Sequence, residues 1–353
     1  MSSSYNIILF LLNFCSGPTD KSITMSTAEK LVDVNSFIPV PIQEFAVGLS
    51  TPVDIYVKLS DDKYVLIIKA GEKATKERVH QYQNKKLEFL YIHEDSYHLL
   101  SKHTITIAGI AIKGDYPKKQ KAKFVSQAAS TLFNEFEHMG LNASNFRQAQ
   151  EITKNSLTLV EAHKDILDLL ESLNGCSDEV IRHAMGTSIL AVLIGSAMGW
   201  QNASTMEKLS VGGMLMDIGL KVLPDELVKK PLTKMTMDEV NMYETHPYRG
   251  MEMATQLGII PDDVVSIIYE HEENAIAQGY PRRLRGIKMH PLSRVVALAN
   301  SFIRLVIPSV NNPNPKSPKE ALNYMEDVMG QPHNPEAFNA LKIIINNYQF
   351  QKF

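Results

Sequence analysis

Leu215-Met216-Asp217-Ile218-Gly219-Leu220 is the stretch on which the reading of this chain turns. Alone, Asp217 before Ile218-Gly219 looks like a capping residue near a helix end. The residues on either side change that reading. Upstream stands His183, surrounded by Met185, Ile189, Leu190 and Leu193 at helical spacing. Downstream come His246 before Pro247, His271 within Glu270-His271-Glu272, and the triplet Gly279-Tyr280-Pro281. Each histidine taken singly is weak evidence, because a lone imidazole on an apolar face is more often a hydrogen-bonded core group. As a set, all lie in one helical region and include the side chains that bind divalent cations.

The hydrophobic period divides the chain. Residues 176–350 carry helical spacing almost throughout, with loops punctuated by Pro224, Pro231, Pro247, Pro261, Pro281 and the stretch from Pro308 to Pro318. Residues 106–175 read as linker helices: Phe124, Ala128, Leu132, Phe136 and Met139 recur before Gly140, and a second helix spans about 145–173 with Gly175 as its stop. Residues 36–105 read as a small α/β module. Val53 to Leu59 and Tyr64 to Ile68 form a hairpin across Ser60-Asp61-Asp62-Lys63, Thr75 to Lys86 a polar helix, and Phe89 to Ile92 a third strand. The module has no nucleophile, metal cluster or phosphate loop, so a regulatory or sensory role is expected. The fold class is α+β overall, with a C-terminal all-α domain.

The 353 residues suffice for two domains, and a net charge of −3 gives no strong field for nucleic acid or anionic lipid. Neither nucleic acid nor membrane is expected as a partner. The two cysteines, Cys15 and Cys176, form no motif, which fits a reducing, cytoplasmic setting. The apolar run Ile7 to Leu12 is too short for a membrane helix and has no basic residue before it. Translation is expected to begin at Met25 rather than Met1, with residues 1–35 disordered or, in their first part, mis-called.

The ordered set is more specific than its members: His183, Leu-Met-Asp217-Ile-Gly, Leu223-Pro224-Asp225, Lys230-Pro231-Leu232-Thr233, His246-Pro247-Tyr248-Arg249-Gly250, Glu270-His271-Glu272, Gly279-Tyr280-Pro281, Leu284-Arg285-Gly286 and Ser293 to Asn300. It resembles the HD-GYP family of bacterial cyclic-di-GMP phosphodiesterases, over about residues 178–345. The resemblance implies an all-helical domain of the HD superfamily that holds two or three iron or manganese ions and opens a cyclic dinucleotide. Paired cations suit that chemistry, since they clamp the charged phosphodiester and activate water at neutral pH. Asp217 would stand where one carboxylate bridges two ions.

Against that pattern several positions differ. Met216 replaces the histidine of the His-Asp pair, and a thioether is a poor ligand for such ions. Asn300 replaces the last aspartate, Leu220 replaces a lysine with Lys221 one place on, and Glu270 stands for one of two histidines. One ion would rely on His183, Met216, Asp217 and Asn300, and is expected to be weak or absent. The other would use Asp217, His246, His271 and Glu270. The resemblance thus implies no ion or one divalent ion, iron or manganese. Tyr280, Arg282, Arg283, Arg285 and Lys221 are the expected ligand or partner contacts, since the family's loop is implicated in docking diguanylate cyclase domains. The expected function is signalling by binding a cyclic dinucleotide or a partner protein, a second copy of the chain included. A hydrolase with one atypical metal is the alternative, and a scaffold of mutually satisfied polar groups the third reading.

Overall fold

The structure, a computed structural model, describes residues 36–42, 45, 49–61, 63–75, 82, 87–162, 179–329 and 333–347. The expectations for residues 1–35, for most of the helix at 75–86 and for the helix end near Gly175 fall outside them. The chain divides into two units at His103/Thr104.

The first unit is a four-stranded antiparallel sheet: β1 (Phe37–Pro41), β2 (Ile55–Ser60), β3 (Lys63–Ile68) and β4 (Phe89–His93), in the order β1-β4-β2-β3. Alternation puts Ile55 and Val57 of β2, and Leu90 and Ile92 of β4, into the core. The β2–β3 hairpin and the strand at 89–93 lie where the sequence puts them. Strand β1, which contains Pro39 and Pro41, was not foreseen. It sits at the sheet edge, where a missing N–H can face outward without breaking a ladder. Phe37 stacks on Tyr64 at 4.2 Å between ring centroids, and Tyr91 meets Tyr64 edge-on at 5.2 Å.

Helix α1 (Tyr97–Lys113) contributes Tyr97 and Leu100 to the first core and Ile105, Ala108 and Ile112 to the second. Helices α2 (Lys118–Met139) and α3 (Ala143–Ala162) follow. Their buried residues, including Val125, Leu132, Phe136, Phe146 and Ile152, belong to the same core as the helices after residue 178. The segment read as linker helices therefore packs within the second unit.

That unit continues with α4 (Glu179–Ala197), α5 (Ala203–Leu215), α6 (Asp225–Val228), α7 (Met237–Tyr243), α8 (His246–Leu257), α9 (Asp262–Glu270), α10 (Pro291–Val306), α11 (Pro318–Asp327) and α12 (Pro335–Asn347). Helix α4 is apolar nearly all round, as a central core helix must be. Among the described residues it alone is long and apolar enough to cross a membrane, and most of it is buried in this core. Helices α4 and α5 approach closely: the Ser188 hydroxyl donates to the Ser210 carbonyl at 2.7 Å. A Cβ on Gly213 would lie 2.8 Å from Ser188 Cα, so only glycine permits this spacing. The approach fixes His183, near the start of α4, against Asp217 beyond the end of α5.

Helix α7 begins in a capping box. Thr236 Oγ1 accepts from Glu239 N, and Glu239 Oε2 accepts from Thr236 N at 2.7 Å. Thr236→Ala removes one of these bonds and should cost about 1 kcal/mol. Urea denaturation should show it as a lower midpoint at unchanged slope.

Candidate metal and ligand site

Four elements bring the site together. Asp217 follows α5 and opens a short 3-10 turn, Ile218–Val222, with φ −91° and ψ 11°, the sparsely used region between helix and strand where many active-site residues sit. His246 starts α8, His271 ends α9, and Glu272 follows it. One donor atom from each of Asp217, His246, His271 and Glu272 lies within 4.8 Å of the others.

The hydrogen bonds fix the histidine tautomers. His246 Nδ1 donates to the Tyr243 carbonyl and His271 Nδ1 to the Ile268 carbonyl, each at 2.8 Å. In the neutral rings both Nε2 atoms therefore present lone pairs, 3.1 Å apart. Asp217 Oδ1 stands 3.2 Å from His271 Nε2 and 3.4 Å from His246 Nε2. That oxygen is buried and, among the described residues, has no hydrogen bond of good geometry. Glu272 Oε1 lies 3.6 Å from His271 Nε2 and 3.9 Å from His246 Nε2. Ligands about 2.1 Å from one cation stand roughly 3.0 Å apart in an octahedron and 3.4 Å in a tetrahedron. The donor set thus fits one divalent ion in type, spacing and outer support.

Charge favours a cation here. Burial alone raises the Asp217 carboxyl, yet His246 and His271 hold it well below the ordinary carboxylate range. Burial likewise opposes ionisation of Glu272, and Arg304 with the two histidines reverses it. Burial lowers the His271 imidazole, but Asp217 and Glu272 outweigh that and raise it. A proton and a metal ion therefore compete for its Nε2.

The other expected ion position is filled differently. His183 Nε2 is 2.7 Å from Asn300 Oδ1 and 3.9 Å from Asp217 Oδ2. The Asn300 amide donates to the His271 carbonyl at 3.2 Å and faces Glu272 Oε1 at 3.5 Å. Two acceptors hold the amide nitrogen, so Oδ1 must face His183, and His183 Nε2 carries the proton. In that state it offers no lone pair at Nε2. Its imidazole is lowered by burial. Met216 is fully buried in the apolar core.

One turn beyond Asn300 on α10, Arg304 Nη1 donates to Glu272 Oε2 at 3.0 Å, while Nη2 pairs with Oε1. With His183, Asp217, Leu220, Leu232 and Tyr243, Arg304 lines a pocket of about 310 Å³. That is near the lower end for small-molecule sites. His246 and His271 lie behind it, at 0% and 1% exposure.

Other expected contacts are placed elsewhere. Glu270, read as the carboxylate ligand, is turned away at the end of α9. Its Oε1 accepts from Arg282 Nη2 at 2.6 Å and its Oε2 from His290 N at 2.7 Å. These two bonds commit both of its carboxylate oxygens away from the cluster. Glu272 takes that place. Lys221 pairs with Glu137 of α2 at 3.0 Å and does not line the pocket. Tyr280 meets His246 edge-on at 5.9 Å, and burial beside Glu272 raises its hydroxyl well above the usual range. Arg282 lies over the Tyr269 ring, whereas Arg283 and Arg285 are exposed. Sequence reading missed Glu272, Arg304 and Glu273. Adjacency to His271 and the i,i+4 step from Asn300 were the available signals for the first two. Glu273, which is buried, accepts from Arg282 N at 2.6 Å and Leu284 N at 2.8 Å, and so holds the loop after Pro281.

With this geometry in place, relatives can be compared. The profile of the HD domain family matches residues 159–335, about half of the chain. The chain belongs to the HD domain family. A cyclic di-GMP phosphodiesterase of Thermotoga maritima is 28% identical over 184 residues, 50% of this chain and 48% of that protein. The cyclic di-GMP phosphodiesterase PdeB of Borreliella burgdorferi is 24% identical over 127 residues, 36% of this chain and 33% of its own. The matched region thus spans a third to about half of these relatives' length. Bd1817, an HDG"Y"P protein from Bdellovibrio bacteriovorus, has a similar solved structure, with TM-score 0.65 and 21% identity. The match covers 88% of this chain and 99% of that one, and speaks for the fold.

Proposed function

We propose that this chain acts in cyclic-di-GMP signalling as a binder of the dinucleotide, through an HD-GYP domain that holds no more than one metal ion. One observation supports the reading: Asn300 Oδ1 holds the Nε2–H of His183 at 2.7 Å, so that nitrogen is not offered to an ion beside Asp217. Arg304 supplies a fixed positive charge beside the cluster, and a guanidinium suits phosphate recognition. Bound at Asp217, His246, His271 and Glu272, iron or manganese would add positive charge against the phosphodiester oxygens. His183 lines the pocket with its Nε2–H held by Asn300, and Leu220 and Leu232 give the pocket apolar sides. Lacking a second ion costs a phosphodiesterase several kcal/mol. About 4 kcal/mol corresponds to roughly a thousandfold in rate.

Titration of cyclic-di-GMP into the purified chain, with metal content measured in parallel, tests this. Arg304→Ala should weaken binding by about 10- to 100-fold, the worth of one charge-assisted contact to phosphate. Unchanged affinity in that variant, or two ions per wild-type chain, would sink the proposal.

A second reading is favoured by the four converging donors: a phosphodiesterase with a single ion. It requires slow turnover by wild type that His271→Ala abolishes. Cleavage that survives the substitution comes from a contaminant.

A further inference from the structure

A second cavity, of about 430 Å³, lies between the two arms of the Tyr280 loop and helices α10 and α12. It shares no lining residue with the pocket at the cluster. Its walls are Ala275, Met289, Ala297 and Pro335, with Ile287 at the rim, 86% exposed. His333 lines it at only 7% exposure, and among the described residues its Nε2 has no hydrogen-bond partner. A buried polar atom without a partner destabilises a fold, so its retention calls for an explanation. Burial pushes this imidazole down to about 4, which leaves it neutral at physiological pH. Arg285 and Arg294 also line the cavity. Among the described residues neither has an acidic partner. Arg294 donates to the carbonyls of Ile287 and Met289. Glu273 lines the cavity too, but its carboxylate is committed to the N–H groups of Arg282 and Leu284.

A neutral hydrogen-bonding group at the bottom, apolar walls and two arginines without carboxylates define a ligand by exclusion. A bare inorganic anion leaves the apolar walls and the imidazole unused. A neutral ring leaves the guanidinium groups unused. We propose that this cavity is a second ligand site, taking a flat ring with a hydrogen-bonding edge that carries one phosphate or carboxylate. The ring edge meets His333 Nε2, and the anion is held by Arg285 and Arg294. The loop arms are tied by the bond from Gly286 N to the Ala275 carbonyl, at 3.1 Å. A ligand here braces the loop whose Tyr280 ring touches His246.

Calorimetric titration of the full chain tests the assignment, using adenosine monophosphate, 4-hydroxybenzoate, inorganic phosphate and adenosine as separate probes. At least one of the first two should bind, at least about tenfold more tightly than phosphate or adenosine alone. Binding by the nucleotide alone assigns phosphate esters, and by the benzoate alone carboxylates. Arg285→Ala, at an exposed position, should weaken that binding about tenfold or more. His333→Phe should abolish it while raising the melting temperature, because the unpaired nitrogen is gone. Arg304→Ala should leave it within about twofold, which separates this site from the cyclic-di-GMP pocket. No binding by either flat anion overturns the proposal. So does binding that Arg304→Ala removes, or binding indifferent to Arg285→Ala.

Discussion

Gly219→Ala is expected to be the most damaging single methyl that can be added near the site. A Cβ there would lie 2.0 Å from the His246 carbonyl oxygen and 2.6 Å from Gly250 N. Both are backbone atoms of α8, so no side chain can rotate aside. The 3-10 turn and α8 would have to separate, carrying His246 away from Asp217, 3.4 Å from it now. Overpacking ordinarily costs about 1–3 kcal/mol, and a rigid backbone contact belongs at or beyond the upper end. For a unit of this size, 3 kcal/mol lowers the melting temperature by roughly 6–12 °C. Thermal denaturation followed by circular dichroism measures it. A drop of less than about 2 °C would mean that the turn and α8 are farther apart than described here.

The second large effect concerns the metal. Asp217→Asn keeps the shape of the side chain and removes its charge. Whichever way the amide turns, the carboxylate facing two imidazole lone pairs is lost. Metal affinity should fall by more than about 100-fold, beyond the 10- to 100-fold typical of losing an outer support. In wild type, manganese at 100 times its dissociation constant should stabilise the fold by about 2.7 kcal/mol. The increase in melting temperature on adding manganese should be clear in wild type and absent in Asp217→Asn. If wild type gains nothing from manganese or iron, the cluster is a hydrogen-bonded network that shares a proton among its acceptors. Binding of the dinucleotide would then rest on the Arg304 charge without help from a metal.

Much of the architecture was legible because it depends on local period. Helical spacing marked the second unit, and Gly140 marked the end of α2. Alternation and a polar turn marked the β2–β3 hairpin. Strand β1 was not read from the sequence, and the edge position that tolerates its prolines is not revealed by any local pattern. The role of α2 and α3 was also hidden, since an amphipathic helix does not name the core it joins.

The sequence by itself determined the superfamily and drew Asp217, His246 and His271 into one site, because their order and spacing survive in the chain. It also led to the expectation that Met216 and Asn300 are poor replacements for the ligands of that family, an expectation that rests on side-chain chemistry alone. Only the tertiary structure brought Glu272, and not the expected Glu270, together with Asp217 and the two histidines. The end of α9 turns Glu270 onto Arg282 and leaves Glu272 beside His271. It alone showed Arg304 reaching Glu272 from α10 and Asn300 fixing the proton of His183. Such pairings join residues 28 to 117 positions apart, and their geometry is set by helix packing rather than by any local run of residues.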